Sequence, residues 1–342
     1  MEIKLTSSIN RFFKNATDNI LSENWGEKIP LTSKNKKEWL NKLKEYTPSL
    51  KTLYLDSSTY TDNPYNKNIK LSPGEYGEFE LQLRTIKKDV LTRITWLEFD
   101  PKKEFNDYFR YGAYKRSIPV PVLIRGSEIW MSPTLAEQTS IDPYAKKASG
   151  RVLTFGLGLG YFPYMCHLNP NVESVTVVEL SQDVINFFNS VIHPQFPQDF
   201  NLDIIQGDAL DYFNDEFLSQ FDYVFVDIWK TNEDGLYWIE KLLSQTKHPQ
   251  ADNLDFWIET SAFMTCRMLM FLYFKSLAEG KVDKLLNDFK HKNKQDYRQF
   301  CSFKAYFESL DLTVTEPSIL QDFIYDTMLM RQLLADSFQL TE

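Results

Sequence analysis

Glycine is scarce in this chain: 12 of its 342 residues are glycine, about half of the ~7% found in an average soluble protein. Four of the 12 nevertheless lie within residues 150–160, at Gly150, Gly156, Gly158 and Gly160. A chain that uses so little glycine has placed three in one G-x-G-x-G run. This run is therefore the first candidate for a functional element.

Cysteine is scarce as well. The three cysteines, Cys166, Cys266 and Cys301, are odd in number and far apart in the sequence. This pattern argues against a disulfide framework and is typical of a reducing compartment. Cys166 stands next to His167, but no second cysteine and histidine cluster completes a zinc site, so we predict no metal site.

A surplus of basic residues is missing, because the formal net charge is −9 and the pI is about 5.2. General nucleic-acid binders usually carry a basic surplus, so bulk nucleic-acid binding is not expected.

Long apolar runs are missing too. The closest candidate, AFMTCRMLMFLYF at 262–274, contains Arg267 and is shorter than the ~18 residues that a membrane span needs. We interpret it as a buried helix. The segment MEIKLTSSINRFFKN at 1–15 has no apolar stretch typical of a signal peptide. We therefore expect a cytoplasmic protein without a membrane segment.

The amino-acid composition is typical of a globular protein, because 43% of the residues are hydrophobic and 25% are charged. The length suggests two domains, or one domain with a large extension. We predict that residues 1–115 are mostly helical, from the spacing in EWLNKLKEY (38–46) and in the segment 79–99. In that second segment the apolar residues recur at steps of three and four, at Leu83, Ile86, Val90, Ile94 and Leu97.

Residues 116–149 predict a β-hairpin and a lead-in helix. The runs PVPVLI (119–124) and EIWM (128–131) flank a turn at Arg125-Gly126-Ser127. Ser132 and Pro133 then suit the cap and first turn of a helix that ends near Lys147.

Residues 150–262 alternate apolar, β-branched runs with helical ones, which is typical of a parallel sheet with helices on both faces. We predict an α/β fold with a Rossmann-like, doubly wound, mostly parallel sheet. The predicted strands are 151–156, 174–180, 202–208, 221–227 and 254–260, and the predicted helices include 181–192 and 233–245. Residues 263–342 predict a helical C-terminal extension that has one weak strand candidate at 312–317 and lacks a clear pair of further strands.

The glycine run follows the first predicted parallel strand and opens a helix, which is where an open α/β sheet binds its ligand. Glycine permits a tight turn and lets a ligand approach the backbone; the alternative is that these glycines serve only the turn and packing. A dinucleotide fingerprint would need glycine at Tyr161. The run therefore favours a nucleotide-type ligand other than NAD.

Acidic residues end the next three predicted strands: Glu179, Asp208 and Asp227. Glu179 is placed to accept hydrogen bonds from ribose hydroxyls. Asp208 could accept from an adenine amine, with the small Ala209 leaving room for a flat ring, and Asp227 would stand beside the reacting end of the ligand. The alternatives are a solvated acid for Glu179, a helix N-cap for Asp208 and a satisfied strand-end carboxylate for Asp227.

Four segments resemble the successive motifs of class I S-adenosylmethionine-dependent methyltransferases. They are VLTFGLGLG (152–160), VTVVEL (175–180), IIQGDAL (204–210) and FDYVFVD (221–227). The resemblance implies that S-adenosylmethionine is the cofactor. It implies that the methionine and ribose parts lie along the glycine loop, at Gly156, Leu157, Gly158 and Gly160. It also implies that Glu179 and Leu180 contact the ribose and that Asp208 and Ala209 contact the adenine. Asp227 would then be the catalytic residue that orients the acceptor.

Within that superfamily, the hairpin, the V-L-x-x-G-x-G form and Thr154 look most like the spermidine synthase branch, which transfers aminopropyl groups. The chain departs from that branch at Leu159 and Lys230, where the branch has aspartates. The segment 132–140 also lacks the branch's Tyr-His pair. We therefore predict a methyltransferase, with an aminopropyltransferase or a catalytically silent binding protein of the same fold as alternatives.

The acceptor is not named by any motif, and a small molecule is favoured. We expect Trp229, Lys230 and Tyr161 near the mouth of the pocket, with plain packing of the two aromatic rings as the alternative. The regions that flank the sheet are expected to build the acceptor site or an oligomer interface, such as that of a homodimer.

Overall fold

The computed structural model describes residues 1–20, 28–96, 98, 105 and 108–339. Within them the chain is a mixed α/β protein built around a five-stranded, all-parallel sheet. Smaller sheets precede the parallel sheet in the chain, and a helical region follows it.

The described part of residues 1–115 combines strands with short helices. Its strands are β1 (Glu2–Ile3), β2 (Lys28–Pro30), β3 (Tyr54–Leu55), β4 (Gly74–Tyr76), β5 (Phe79–Ile86), β6 (Val90–Arg93) and β7 (Tyr111–Tyr114). Its helices are α1 (Ser7–Ile20), α2 (Lys36–Lys44), α3 (Ser58–Thr61) and α4 (Pro64–Asn68). Helix α2 agrees with the helix predicted at 38–46.

The predicted hairpin is present as β8 (Ile118–Arg125) and β9 (Glu128–Met131), which pair antiparallel. Helix α5 (Leu135–Lys147) follows. Its N-cap is Thr134, whose side chain accepts a hydrogen bond from the Glu137 N–H. The predicted cap at Ser132 is wrong by two residues, because the Ser132 hydroxyl instead donates to the Pro121 carbonyl at 2.8 Å.

The helix predicted at 79–99 is wrong, and with it the mostly helical character of residues 1–115. Strand β5 pairs with β8 along its whole length, from Phe79 opposite Arg125 to Ile86 opposite Ile118. Leu83, which belonged to the predicted apolar stripe, is 49% exposed. Pairing with the hairpin overrides the helical spacing, because such pairing depends on a distant segment that local periodicity does not report. Leu97 and Phe99, at the end of the predicted helix, lie outside the described residues.

The parallel sheet agrees with the predicted strands. It consists of β10 (Gly150–Phe155), β11 (Val172–Glu179), β12 (Leu202–Gln206), β13 (Tyr223–Val226) and β14 (Leu254–Phe256), in the order β12-β11-β10-β13-β14. The helices after its strands include α6 (Tyr161–His167), α7 (Gln182–Phe187), α8 (Ala209–Tyr212), α9 (Asp215–Leu218) and α10 (Asn232–Leu243). Helix α7 continues as a π-helical turn at Phe188–Ile192 and a 3-10 turn at His193–Gln195.

The strand order reverses at β10, since the chain first adds β11 and β12 on one side and then β13 and β14 on the other. In open α/β sheets such a switch point opens a crevice at the carboxyl ends of the strands, where ligands bind. The glycine loop and the strand-end acids all lie at this end. The fifth strand is shorter than predicted, because the chain leaves it after Phe256 and enters α11 (Glu259–Ala262).

The helical C-terminal region was predicted and is present. It contains α12 (Met264–Ala278), α13 (Val282–Lys292), α14 (Lys294–Ser309), α15 (Pro317–Tyr325) and α16 (Thr327–Gln339), with β15 (Thr313–Val314) between α14 and α15. Strand β15 pairs in parallel with β1. Among the described residues, no helix is long and apolar enough to cross a membrane.

Candidate functional site

The glycine loop connects β10 to α6 in a backbone conformation that favours glycine. Gly156, Gly158 and Gly160 all have positive φ angles, of 96°, 51° and 71°. A Cβ atom at 156 would lie 2.0 Å from the backbone oxygen of Asp227, and one at 160 would lie 2.4 Å from the ring of Phe188. The turn and the packing therefore explain Gly156 and Gly160 without a ligand.

Gly158 differs because a movable side chain covers it. A Cβ atom there would lie 2.3 Å from the terminal methyl of Met131. The Met131 Sδ also accepts a hydrogen bond from the Leu159 N–H at 2.9 Å. Methionine is unbranched and adaptable, so a ligand can approach the loop backbone at Gly158 once Met131 moves aside.

Glu179 ends β11 and is almost buried, with 8% of its surface exposed. Its Oε2 accepts from the Leu157 N–H at 2.9 Å and its Oε1 accepts from the Ser181 N–H at 2.8 Å. Burial raises the pKa of Glu179, and the backbone hydrogen bonds oppose that rise. Glu179 therefore braces the glycine loop and is not the solvated acid of the alternative interpretation.

The other predicted adenosine-site positions are Leu180, Asp208 and Ala209. Leu180 is 63% exposed, which is unusual for an apolar side chain next to a buried acid. Asp208 caps α8, since its Oδ1 accepts from the Leu210 N–H at 3.0 Å. The N-cap interpretation of Asp208 is thus confirmed, and a second oxygen stays available. Ala209, the first residue of α8, is buried.

Asp227 follows β13 and is partly buried. Burial, together with the nearby Glu179 carboxylate, raises the pKa of Asp227 to about 7. No described residue donates a hydrogen bond to its carboxylate. Asp227 is therefore not a satisfied strand-end acid, and a carboxylate that titrates near neutrality suits proton transfer.

Glu137 is a second acid in the same region as Asp227, and it was not among the site residues predicted from the sequence. It lies in the first turn of α5, and burial together with the charge of Asp227 raises its pKa well above the usual range. The sequence does mark this residue, because Thr134 and Glu137 form the T-x-x-E pattern of a helix capping box. That pattern predicts a capping role for the glutamate, whereas in the structure Glu137 lines the same cavity as Asp227 and is affected by its charge.

Glu137 and Asp227 both line a cavity of about 820 Å³, a size typical of small-molecule sites. Its walls come from β5–β9, from the start of α5, and from the residues that follow β13 and β14. Four tryptophans line it: Trp96, Trp130, Trp229 and Trp257.

Of the residues expected at the pocket mouth, Trp229 and Lys230 line this cavity. Tyr161 does not, so that expectation is wrong. The Tyr161 ring is buried, and its hydroxyl donates to the Asp142 carboxylate at 2.7 Å and accepts from the Asn63 amide at 2.7 Å.

No protein-family model matches this chain, and no curated protein matches it. Among solved structures, it is similar to human methyltransferase-like protein 13 in complex with SAH, at 15% identity over 32% of this chain and 57% of that one, with a TM-score of 0.22. It is also similar to spermidine synthase from Thermotoga maritima, at 13% identity over 52% of this chain and 60% of that one, with a TM-score of 0.28.

A third similar structure is a spermidine synthase in complex with the transition state analogue AdoDATO, at 12% identity over 54% of this chain and 65% of that one, with a TM-score of 0.27. The solved structures that match thus include a methyltransferase and spermidine synthases at low identity. The matched region spans less than two thirds of each of these three proteins. Such distant likenesses concern the fold and do not identify an activity.

Proposed function

We propose that this protein is an S-adenosylmethionine-dependent methyltransferase that acts on a small molecule bound in the cavity. The position of Asp227 carries the proposal. Its backbone oxygen lies against Gly156 of the glycine loop, and the same residue lines the cavity. One acid thus joins a nucleotide-type loop to a substrate-sized space, as transfer between two bound molecules requires.

The residues around the loop fit an adenosine group. A carboxylate has about four lone-pair sites that can accept hydrogen bonds. Two backbone N–H groups occupy two of these sites on Glu179. The other sites can accept hydrogen bonds from ribose hydroxyls. The exposed side chain of Leu180 offers an apolar wall for a flat ring. Asp208, with one oxygen outside its capping bond, can accept from an exocyclic amine.

S-adenosylmethionine, when bound, supplies a methyl group activated by the sulfonium sulfur. Residues of this chain position the acceptor, remove its proton and exclude water. Asp227 and Glu137 hold the nucleophilic atom of the acceptor, and Asp227, whose pKa is raised to about 7, takes up its proton. The tryptophan rings exclude water from the acceptor and hold its apolar part.

Replacement of Leu180 by alanine tests the cofactor site. Leu180→Ala removes the exposed apolar wall, so we expect the dissociation constant of S-adenosylhomocysteine to rise about tenfold, measured by isothermal titration calorimetry. The matched control is Leu168→Ala, since Leu168 is also an exposed leucine, at the end of α6. The absence of any binding heat for S-adenosylmethionine at millimolar concentration would contradict the proposal, and equal effects of the two variants would place the adenine elsewhere.

Aminopropyl transfer is the second candidate, and Glu137 is the observation that favours it. A cationic amine needs nearby carboxylates to offset its desolvation, and Glu137 supplies an acid beside Asp227 in place of those missing at Leu159 and Lys230. Product formation from decarboxylated S-adenosylmethionine and putrescine would establish this activity. Turnover of any acceptor from a cell extract with labelled cofactor would exclude the catalytically silent alternative.

A further inference from the structure

The cavity has two chemically different walls, and together they define a substrate class. One wall carries the carboxyl groups of Glu137 and Asp227, at the start of α5 and the end of β13. The other wall comes from β6, β7 and the residue at 96, and it presents hydrogen-bond donors.

Three polar groups of this second wall are buried without a hydrogen-bond partner among the described residues: Arg93 Nε, Trp96 Nε1 and the Tyr114 hydroxyl. Buried polar groups in proteins almost always have a hydrogen-bond partner, because leaving one without a partner destabilises the fold. The Tyr114 side chain is 1% exposed. These atoms have no accessible surface, but their side chains line the cavity, so a small turn towards it lets a ligand with acceptor oxygens satisfy them.

The charge of this wall also favours an anion. The Arg93 guanidinium lies 3.9 Å from the centre of the Phe109 ring and forms no ion pair within the described residues. Arg84 and Lys87 of the same cavity are likewise without an ion pair in the described part of the chain. Within the described residues, Arg84, Lys87 and Arg93 thus bring positive charge to the cavity without an acidic partner.

We propose that the acceptor is a molecule with an amine at one end and an anionic oxygen group at the other, joined by an apolar or aromatic spacer. Glu137 and Asp227 hold the amine, Arg93, Trp96 and Tyr114 hold the anionic group, and tryptophan rings contact the spacer. This inference rests on the proposed function and deepens it. This substrate class excludes diamines, because the wall that contains Arg93 would repel their second amine.

Matched probes test the substrate class on the whole protein. Para-(aminomethyl)benzoate carries both charges, para-xylylenediamine carries two cations, and terephthalate carries two anions on the same ring. We expect the amino carboxylate to bind with a dissociation constant at least about tenfold lower than that of either control. The same order is expected for ε-aminocaproate against hexamethylenediamine and adipate. Calorimetry is run with and without S-adenosylhomocysteine.

Two variants assign the walls. Glu137→Gln should weaken the amino carboxylate about tenfold and should not weaken terephthalate, whose second carboxylate no longer faces that acid. Arg93→Gln should weaken the amino carboxylate and terephthalate and should strengthen the diamine, because the charge that repels its second amine is gone. The control is Glu38→Gln, because Glu38 also lies in the first turn of a helix but outside the cavity.

The outcomes separate this inference from the proposed function. Binding of S-adenosylhomocysteine without binding of either amino carboxylate overturns the substrate class alone. Tighter binding of the diamines also overturns it and favours polyamine chemistry. Amino carboxylate binding without any cofactor binding supports the cavity assignment and contradicts the proposed transferase function.

Discussion

Two carboxyl groups in one cavity are the main residue-scale feature of this protein. Asp227 belongs to the parallel sheet and Glu137 belongs to the helix after the hairpin, so the fold brings together acids 90 residues apart in the sequence. Burial raises both pKa values, with a further contribution from the charge of Glu179 at Asp227 and from the charge of Asp227 at Glu137.

Replacement of Asp227 by asparagine should change the pH dependence of stability. The pKa of Asp227 is about 7 in the folded chain, against an ordinary value of 3.8, so the folded state holds a proton that the unfolded state releases. Wild-type stability from this group is therefore present below about pH 4 and is lost as the pH rises towards 7. Asp227→Asn should equal wild type near about pH 4 and exceed it by roughly 0.5–2 kcal/mol above about pH 7, measured by urea unfolding.

The exposed Asp203 on β12 is the control, replaced by asparagine in the same way. Equal stability of Asp227→Asn and wild type across the whole range would show that Asp227 is ionised at no cost in the folded chain.

At the scale of the element, strand β9 places its last side chain over the glycine loop. Met131 fills the space above Gly158 and also lines the cavity. It therefore lies between the proposed cofactor site and the proposed acceptor site. Its hydrogen bond to the Leu159 N–H must break before a ligand can contact that backbone group.

Met131→Ala should expose the loop. We expect the dissociation constant of S-adenosylhomocysteine to fall about fivefold, because breaking one hydrogen bond costs about 1 kcal/mol and the variant no longer has to break it. Isothermal titration calorimetry measures the change, and Met268→Ala on α12, at another partly buried methionine, is the control. Weaker binding by Met131→Ala would mean instead that Met131 contacts the bound ligand directly.

The elements also show where local patterns fail. The segment FELQL at 79–83 satisfies both a helical spacing and the alternation of a strand, with Phe79 and Leu81 buried and Glu80 exposed. The hairpin offers the whole strand β5 eight cross-strand partners, which decides between the two patterns. No sequence pattern within 79–99 indicates that the hairpin is its pairing partner.

For the whole molecule, a buried ion pair connects the C-terminal helices to the parallel sheet domain. Arg331 of α16 is 1% exposed and donates to both oxygens of Glu259, at 2.6 Å and 2.9 Å. Glu259 lies in α11, just after the last parallel strand. Neither residue carried a signal in the sequence, because each gains its role only from the other.

Arg331→Met should destabilise the fold by about 3–5 kcal/mol, because it leaves the Glu259 carboxylate buried without its partner. The double variant with Glu259→Gln should recover part of that loss, since no charge is then buried. Urea unfolding gives both values. The control is Lys281→Met, which breaks the exposed pair with Glu279 and should change stability by about 0–1 kcal/mol. A loss of similar size in both single variants would contradict a structural role for the buried pair.

By itself, the sequence determined the order of strands and helices in residues 150–262, the position of the glycine loop and the acids that end the strands. These features follow from local causes: side-chain periodicity, the φ freedom of glycine, and the rule that parallel strands share one carboxyl end.

Only the tertiary structure decided what surrounds those residues. It paired β5 with the hairpin, set Met131 on Gly158, and placed Glu137 beside Asp227 in a cavity with Arg93, Trp96 and Tyr114 on another wall. Each of these contacts joins segments that are far apart in the chain. Such contacts depend on packing and register, so no local pattern in either segment could have recorded them.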